Sequence, residues 1–184
     1  MDSKGKNELK EIISDPLDDT EIKHYLPEAR ILKYSELSIY KTIEQLLPHP
    51  KSYVIVLIEA TVNNGHWITI TRFENIIEYF DSYGLYPDQN LTWIPENKRE
   101  ILGQSVPYIS NLFDKTKLKV VYNDVNYQKA GSKVATCGRY CVFRILLLKE
   151  YNLSLEGMHQ VLEYFKKNKK LSYDETVSLF IDIT

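Results

Sequence analysis

An α+β fold, in which a small and mostly antiparallel sheet is flanked by helices, is the class that three observations in this sequence predict. The stretch SYVIVLIEA is β-branched and apolar, and GHWITITRF after it alternates Ile and Thr at period two. The last third returns to long helical patterns. A chain of 184 residues is long enough for one core, and neither an internal repeat nor a Pro/Gly/Ser-rich linker divides it. The expectation is a single domain over 1–184, with an N-terminal helical part (1–50), a sheet region (51–128) and C-terminal helices (137–184).

Taken in order, residues 6–47 read as helical. Asp19 is a plausible cap before EIKHYL, and Ser35 to Leu47 carries apolar residues at helical spacing until Pro48 stops it. Two strands follow, SYVIVLIEA and GHWITITRF, and NIIEYFDSYG pairs with the second. Residues 82–106 are rich in turn formers and aromatics. PYISNLFDK then reads as a helix and KLKVVYND as a strand, and CGRYCVFRILLLKEY, SLEGMHQVLEYFKKNKK and SYDETVSLFIDI read as three helices.

Composition narrows the function. The net charge of −2 gives no positive field that would gather nucleic acid or an anionic membrane. The one dense basic run, KKNKK at 166–170, is a solvated helix end. Val142 to Leu148, interrupted by Arg144, falls far short of the roughly 20 apolar residues that span a bilayer. MDSKGKNELKEI lacks the apolar stretch of a signal peptide, so folding in a reducing, intracellular compartment without secretion is expected, and with it thiols rather than disulfides. The two cysteines, Cys137 and Cys141, stand one helical turn apart without a second pair of metal ligands, so neither a zinc site nor a redox pair is formed. No cofactor and no metal are expected.

Cys137 opens the long apolar helix, just after the turn-forming QKAGSKVAT. Unpaired N–H groups and the positive end of the helix dipole favour a thiolate there. A buried small hydrophobe is the commoner fate of such a cysteine, so the residue alone decides nothing. A nucleophilic thiol needs a base, and the base needs an acceptor that fixes its tautomer. His66 and Asp81 fit, because they bracket a hairpin whose turn falls within Arg72–Asn75. A two-residue loop at Phe73–Glu74 sets them directly opposite; one at Glu74–Asn75 makes them diagonal neighbours on the same face. An unbulged odd loop would separate them. Gln128 is the candidate side-chain donor for an oxyanion, with the Cys137 backbone N–H as the second. Trp67, beside the base, is a candidate wall of a substrate cleft, although packing the opposite strand face explains it equally well. His24, His49 and His159 are assigned no role, and Cys141 is read as core.

The chain order His, Asp, Gln, Cys, with GHW, FDSYG, YQ and TCGRYC, resembles the adenain-like and SUMO-protease-like superfamily of cysteine proteases, whose fold is related to that of papain. The segments ARILKYSELSIYKTIEQLLP, GHWITITRFENIIEYFDSYGLYPD and YQKAGSKVATCGRYCVFRI are most similar to maturation proteases of virophages of the mavirus type, Maverick/Polinton elements and giant viruses, over about residues 20 to 150. The resemblance implies a cysteine endopeptidase with a His66–Asp81–Cys137 triad and Gln128 in the oxyanion hole. It further implies cleavage near small residues, often glycine, in capsid or other virion precursor proteins. Host cytoplasm, viral factory or virion is then the place of action. A processing or deconjugating protease for a ubiquitin-like modifier is the alternative enzyme, and a non-catalytic binding module on a protease fold is the alternative of another class. The 15 residues from His66 to Asp81 are fewer than usual in adenain and the SUMO proteases, and the nine from Gln128 to Cys137 are more.

Overall fold

The computed structural model describes residues 3–131 and 133–182. The chain forms two compact units, one of residues 29–124 and the other of residues 1–28 with 125–184.

The first unit holds a five-stranded sheet among its described residues, in the order β1 (Arg30–Lys33), β2 (Tyr53–Thr61), β3 (Asn64–Phe73), β4 (Ile76–Phe80) and β5 (Lys119–Tyr122). The central three strands form an antiparallel meander, because tight turns join them. Both outer strands add in parallel, after long connections. Each turn takes one residue into the left-handed region, Asn63 at φ 59° between β2 and β3 and Glu74 at φ 51° between β3 and β4. One sheet face carries Val54, Val56, Ile58, Ile68, Ile70, Ile77 and Tyr79, which belong to one buried cluster with Leu37, Ile43, Leu46, Leu91, Ile94, Ile109 and Leu112. Those partners come from the connecting segments, including 3-10 turns at Tyr34–Ile39 and Gln89–Trp93, and the helices α3 (Ile43–Leu46) and α5 (Tyr108–Phe113).

The expected helical stretch 6–47 is therefore corrected. α-Helix occupies only α1 (Ser3–Ser14), α2 (Asp19–Tyr25) and α3, Tyr34–Ile39 is 3-10, and Arg30–Lys33 is a strand paired in register with Val54–Leu57. Tertiary context overrides the local pattern, since β1 pairs with the backbone groups at the edge of β2, a partner more than 20 residues away that periodicity does not reveal. The apolar spacing of Ser35–Leu47 is kept, yet the helix breaks at Tyr40 and Thr42, both extended. Asp18 rather than Asp19 caps α2, in a capping box with Glu21.

The second unit is helical. The residues Cys137–Tyr151 form α6, Leu155–Lys169 form α7 and Tyr173–Phe180 form α8. Ser154 caps α7 and Ser172 caps α8, the latter in a capping box with Glu175. Asn152, in the left-handed conformation at φ 53°, ends α6. Burial along α6 is continuous from Cys137 to Ile145, so this helix is wrapped on all sides rather than amphipathic. Even Arg144 is fully buried, its guanidinium donating to the Leu153 carbonyl at 2.8 Å.

Candidate active site

In the sheet unit, the hairpin loop falls at Glu74–Asn75, because Phe73 pairs with Ile76 and Thr69 with Phe80. This is the diagonal alternative. Carried one residue past β4, the register sets Asp81 opposite Ile68, two positions from His66 and on the same face. A diagonal pair needs long side chains to meet, and imidazole plus carboxylate span the gap: His66 Nε2 lies 2.9 Å from Asp81 Oδ1.

The carboxylate is wholly buried while the imidazole is 13% exposed. Asp81 is held from four directions. The side chain of Asn123 mimics a strand neighbour, its Oδ1 accepting from the Asp81 N–H at 3.0 Å and its Nδ2 donating to the Asp81 carbonyl at 2.8 Å. Asn90 Nδ2 donates to Oδ2 at 2.9 Å, and the Tyr83 N–H donates to Oδ1 at 2.7 Å. Every contact to the carboxylate oxygens is thus a donor, so Asp81 acts as acceptor toward the ring as well. The ring proton then resides on Nε2, and Nδ1 carries the lone pair of a base. Tyr83 also covers the imidazole, with ring centroids 4.8 Å apart, and Trp93 meets Tyr83 edge-on at 5.5 Å.

Gly65, immediately before the histidine, is required by close approach. A Cβ there would lie 1.9 Å from the Ile58 carbonyl oxygen. The crowding coincides with a bulge in β2, between Glu59 and Thr61.

In the helical unit, Cys137 is the first residue of α6 and is 7% exposed. Thr136, at the cap position, makes no side-chain bond to the helix, and the first turn carries no acidic residue. The positive end of the dipole is therefore left for whatever the thiol side presents. Thr136 Oγ1 instead donates to Asp174 at 2.6 Å. Gln128 is buried at 2% exposure, and its Nε2 donates to the Val134 carbonyl at 3.4 Å, inside the loop leading to Cys137. Cys141 is buried one turn on. His159, assigned no role from sequence, has its Nδ1 3.4 Å from the Tyr127 hydroxyl.

Trp67 is 7% exposed, on the sheet face opposite to His66 and paired across the strands with Leu57. The exposed indole is Trp93, at 59%. Sequence reading missed Asn90, Asn123, Tyr83 and Trp93. Only Tyr83 carried a local signal, standing two residues beyond Asp81 in the position of an Asx-type turn. Among the described residues no group of three or more His, Cys, Asp or Glu side chains could hold a metal ion. No helix among them is long and apolar enough to cross a membrane.

Comparison with known proteins gives one close sequence relative, an uncharacterised protein, V9, of Sputnik virophage. It is 42% identical over 153 residues, which cover 83% of this chain and 85% of V9. The chain belongs to the V9 family. No family model matches it. Among solved structures, the V9-family chain aligns over 91% of its length with the ASFV pS273R protease, at 13% identity and a TM-score of 0.46, covering 67% of that protein. A second match is the central domain of an uncharacterised protein, Lpg1148, of Legionella pneumophila, at 13% identity and a TM-score of 0.44, with 91% of this chain and 97% of that one covered.

Proposed function

We propose that this protein is a cysteine endopeptidase, with Cys137 as nucleophile, His66 as base, Asp81 as the residue that orients the base, and Gln128 with the Cys137 N–H as oxyanion donors. The observation that carries the reading is the His66–Asp81 pair: an imidazole bonded at 2.9 Å to a carboxylate that is fully buried and held by the Asn90 amide and the Tyr83 N–H, on a backbone that Asn123 ties down. A purely structural histidine has no need of so fixed an acceptor, whereas a base whose tautomer must be held does. The uncapped start of α6 supports the second half of the reading, because it favours a thiolate at Cys137.

In the proposed reaction the Cys137 thiol gives its proton to His66 Nδ1, and sulfur attacks the scissile carbonyl. The oxyanion is met by the Gln128 amide and the Cys137 N–H. The imidazolium then protonates the leaving amine as the C–N bond breaks. Water, deprotonated by the same ring, hydrolyses the thioester and restores the thiol. Asp81 stabilises the imidazolium throughout.

Kinship with a virophage protein at 42% identity favours a viral setting, and there the substrates would be capsid or other virion precursor proteins, cut near small or glycine residues during maturation. Trp67 is too enclosed to serve as the main cleft wall; the exposed Trp93, backed by Tyr83, fits that part better. The test is co-expression with a capsid precursor. Wild type should convert the precursor into shorter products and Cys137→Ala should not. Identical precursor bands with both proteins would refute the maturation role, and labelling by a ubiquitin-like modifier bearing a C-terminal electrophile would move the substrate to the deconjugating class.

A further inference from the structure

One buried carboxylate has no part in the reaction just described. Asp174, on α8, is 6% exposed, and burial pushes its pKa above the ordinary aspartate value. Its two oxygens are used separately. Oδ2 accepts from the Lys129 N–H at 3.0 Å, and Oδ1 accepts from the Thr136 hydroxyl at 2.6 Å. Lys129 directly follows Gln128, and Thr136 directly precedes Cys137. A single side chain therefore spans the two ends of the loop that joins the candidate oxyanion donor to the candidate nucleophile.

Packing alone does not fix this loop. One side of it lines an open groove of about 460 Å³, shared by Gln128, Lys129, Val134, Tyr173 and Asp174. Lys129, Ala130, Gly131 and Lys133 are exposed, so polar tethers help to hold this segment. Several exist: the Ala135 N–H donates to the Ile13 carbonyl at 2.8 Å, and the Tyr140 hydroxyl donates to the Tyr127 carbonyl at 3.2 Å. Asp174 joins Lys129 and Thr136 through one side chain, and burying a carboxylate is costly enough that its two donors point to a demand for geometry.

We propose that Asp174 is a positioning residue, which holds Lys129 and Thr136 so that the neighbouring Gln128 amide and Cys137 N–H converge on the oxyanion of the acyl-transfer step. The inference rests on the protease reading and adds to it a residue remote in sequence from both. Asp174 touches no substrate. It acts through Gln128 and Cys137.

Two reactions at the same sulfur separate this role from general stability. Benzyloxycarbonyl-glycine p-nitrophenyl ester acylates a thiolate through a tetrahedral intermediate and so needs the oxyanion donors. Iodoacetamide alkylates by direct displacement and does not. In the full chain, Asp174→Asn keeps an oxygen for Thr136 but sets an NH2 group against the Lys129 N–H. The ester rate at Cys137 should fall at least ~10-fold, toward the loss known for removing an oxyanion donor. The iodoacetamide rate should stay within about 3-fold or rise, because a negative charge near the thiolate has been removed. A fall of the ester rate that the alkylation rate does not match excludes a charge explanation, since removing the charge would favour both reactions. Thr136→Val, which leaves the carboxylate in place, should lower the same ratio, and Thr136→Ser should restore it; this pair decides the matter where Asp174→Asn does not fold. A folded Asp174→Asn with an unchanged ester-to-iodoacetamide ratio overturns the proposal, as does an equal fall of both rates in Thr136→Val. Failure of the protease reading itself shows up differently, as a wild-type Cys137 that the ester does not acylate.

Discussion

At the scale of single residues, the arrangement around His66 is an exercise in acceptor supply. The Asp81 oxygens take hydrogen bonds from Asn90, Tyr83 and His66, while Asn123 closes the backbone N–H and C=O beside them. Asp81→Asn would set an amide NH2 against one of those donors and offer His66 the wrong partner. Peptide hydrolysis should drop by roughly 10²–10⁴-fold in kcat with KM little changed, as for triads in which the orienting carboxylate becomes an amide; steady-state kinetics on a cleaved precursor peptide would show it. Asn123→Ala strips two backbone groups of their partners in a buried site. A loss on the order of 2–4 kcal/mol is expected in urea unfolding, from about 1–3 kcal/mol per buried unsatisfied group. The residues that bind each other here were only partly legible in the sequence. His66 and Asp81 could be paired because chemistry restricts the residue types that accept a hydrogen bond from an imidazole. Asn123 and Asn90 could not, since an asparagine that mimics a strand neighbour has no pattern of its own, and its partner in the case of Asn123 lies 42 residues away.

At the scale of elements, the hairpin and the helix start do the positioning. From sequence, parity brought His66 and Asp81 to one face for an even loop and separated them for an odd one, and the loop at Glu74–Asn75 realises the diagonal arrangement. The start of α6 at Cys137 was equally readable, because turn formers give way there to an unbroken apolar run. What stayed hidden was β1, whose pairing is non-local, and the role of α8, whose Asp174 looks from sequence like any acidic residue in a first helical turn. Gly65→Ala tests the hairpin. A Cβ within 1.9 Å of the Ile58 carbonyl oxygen must push the strands apart, so the variant should lose stability on the order of 1–3 kcal/mol, as overpacking does, and lose hydrolysis more steeply than stability, because His66 is the next residue. Parallel urea titrations and activity assays would measure both. Asp174 yields a pH prediction at this scale. Burial raises its folded-state pKa above 3.8, so folding holds the proton more tightly than the unfolded chain does. Its contribution is most favourable below pH 3.8 and declines as pH rises through the folded-state value. The stability difference between wild type and Asp174→Asn should therefore shift against wild type as pH climbs from 3.8 toward neutrality, in urea unfolding followed pH by pH; a difference that shifts the other way would contradict the buried, raised carboxyl.

At the scale of the whole molecule, the candidate residues are contributed by two compact units, His66 and Asp81 by residues 29–124 and Gln128 and Cys137 by the other. The proposed chemistry requires the thiol of one to exchange a proton with the imidazole of the other. The most direct measurement is the rate of iodoacetamide alkylation of Cys137 at pH 6.5, located by peptide mapping, in wild type and in His66→Ala, with the buried Cys141 as internal reference. If His66 accepts the proton of Cys137, wild type should react at least ~10-fold faster than the variant, the thiolate being the reactive form. Equal rates in the two proteins would mean that imidazole and thiol do not act as a pair, and the proposal of a cysteine endopeptidase would fall with them.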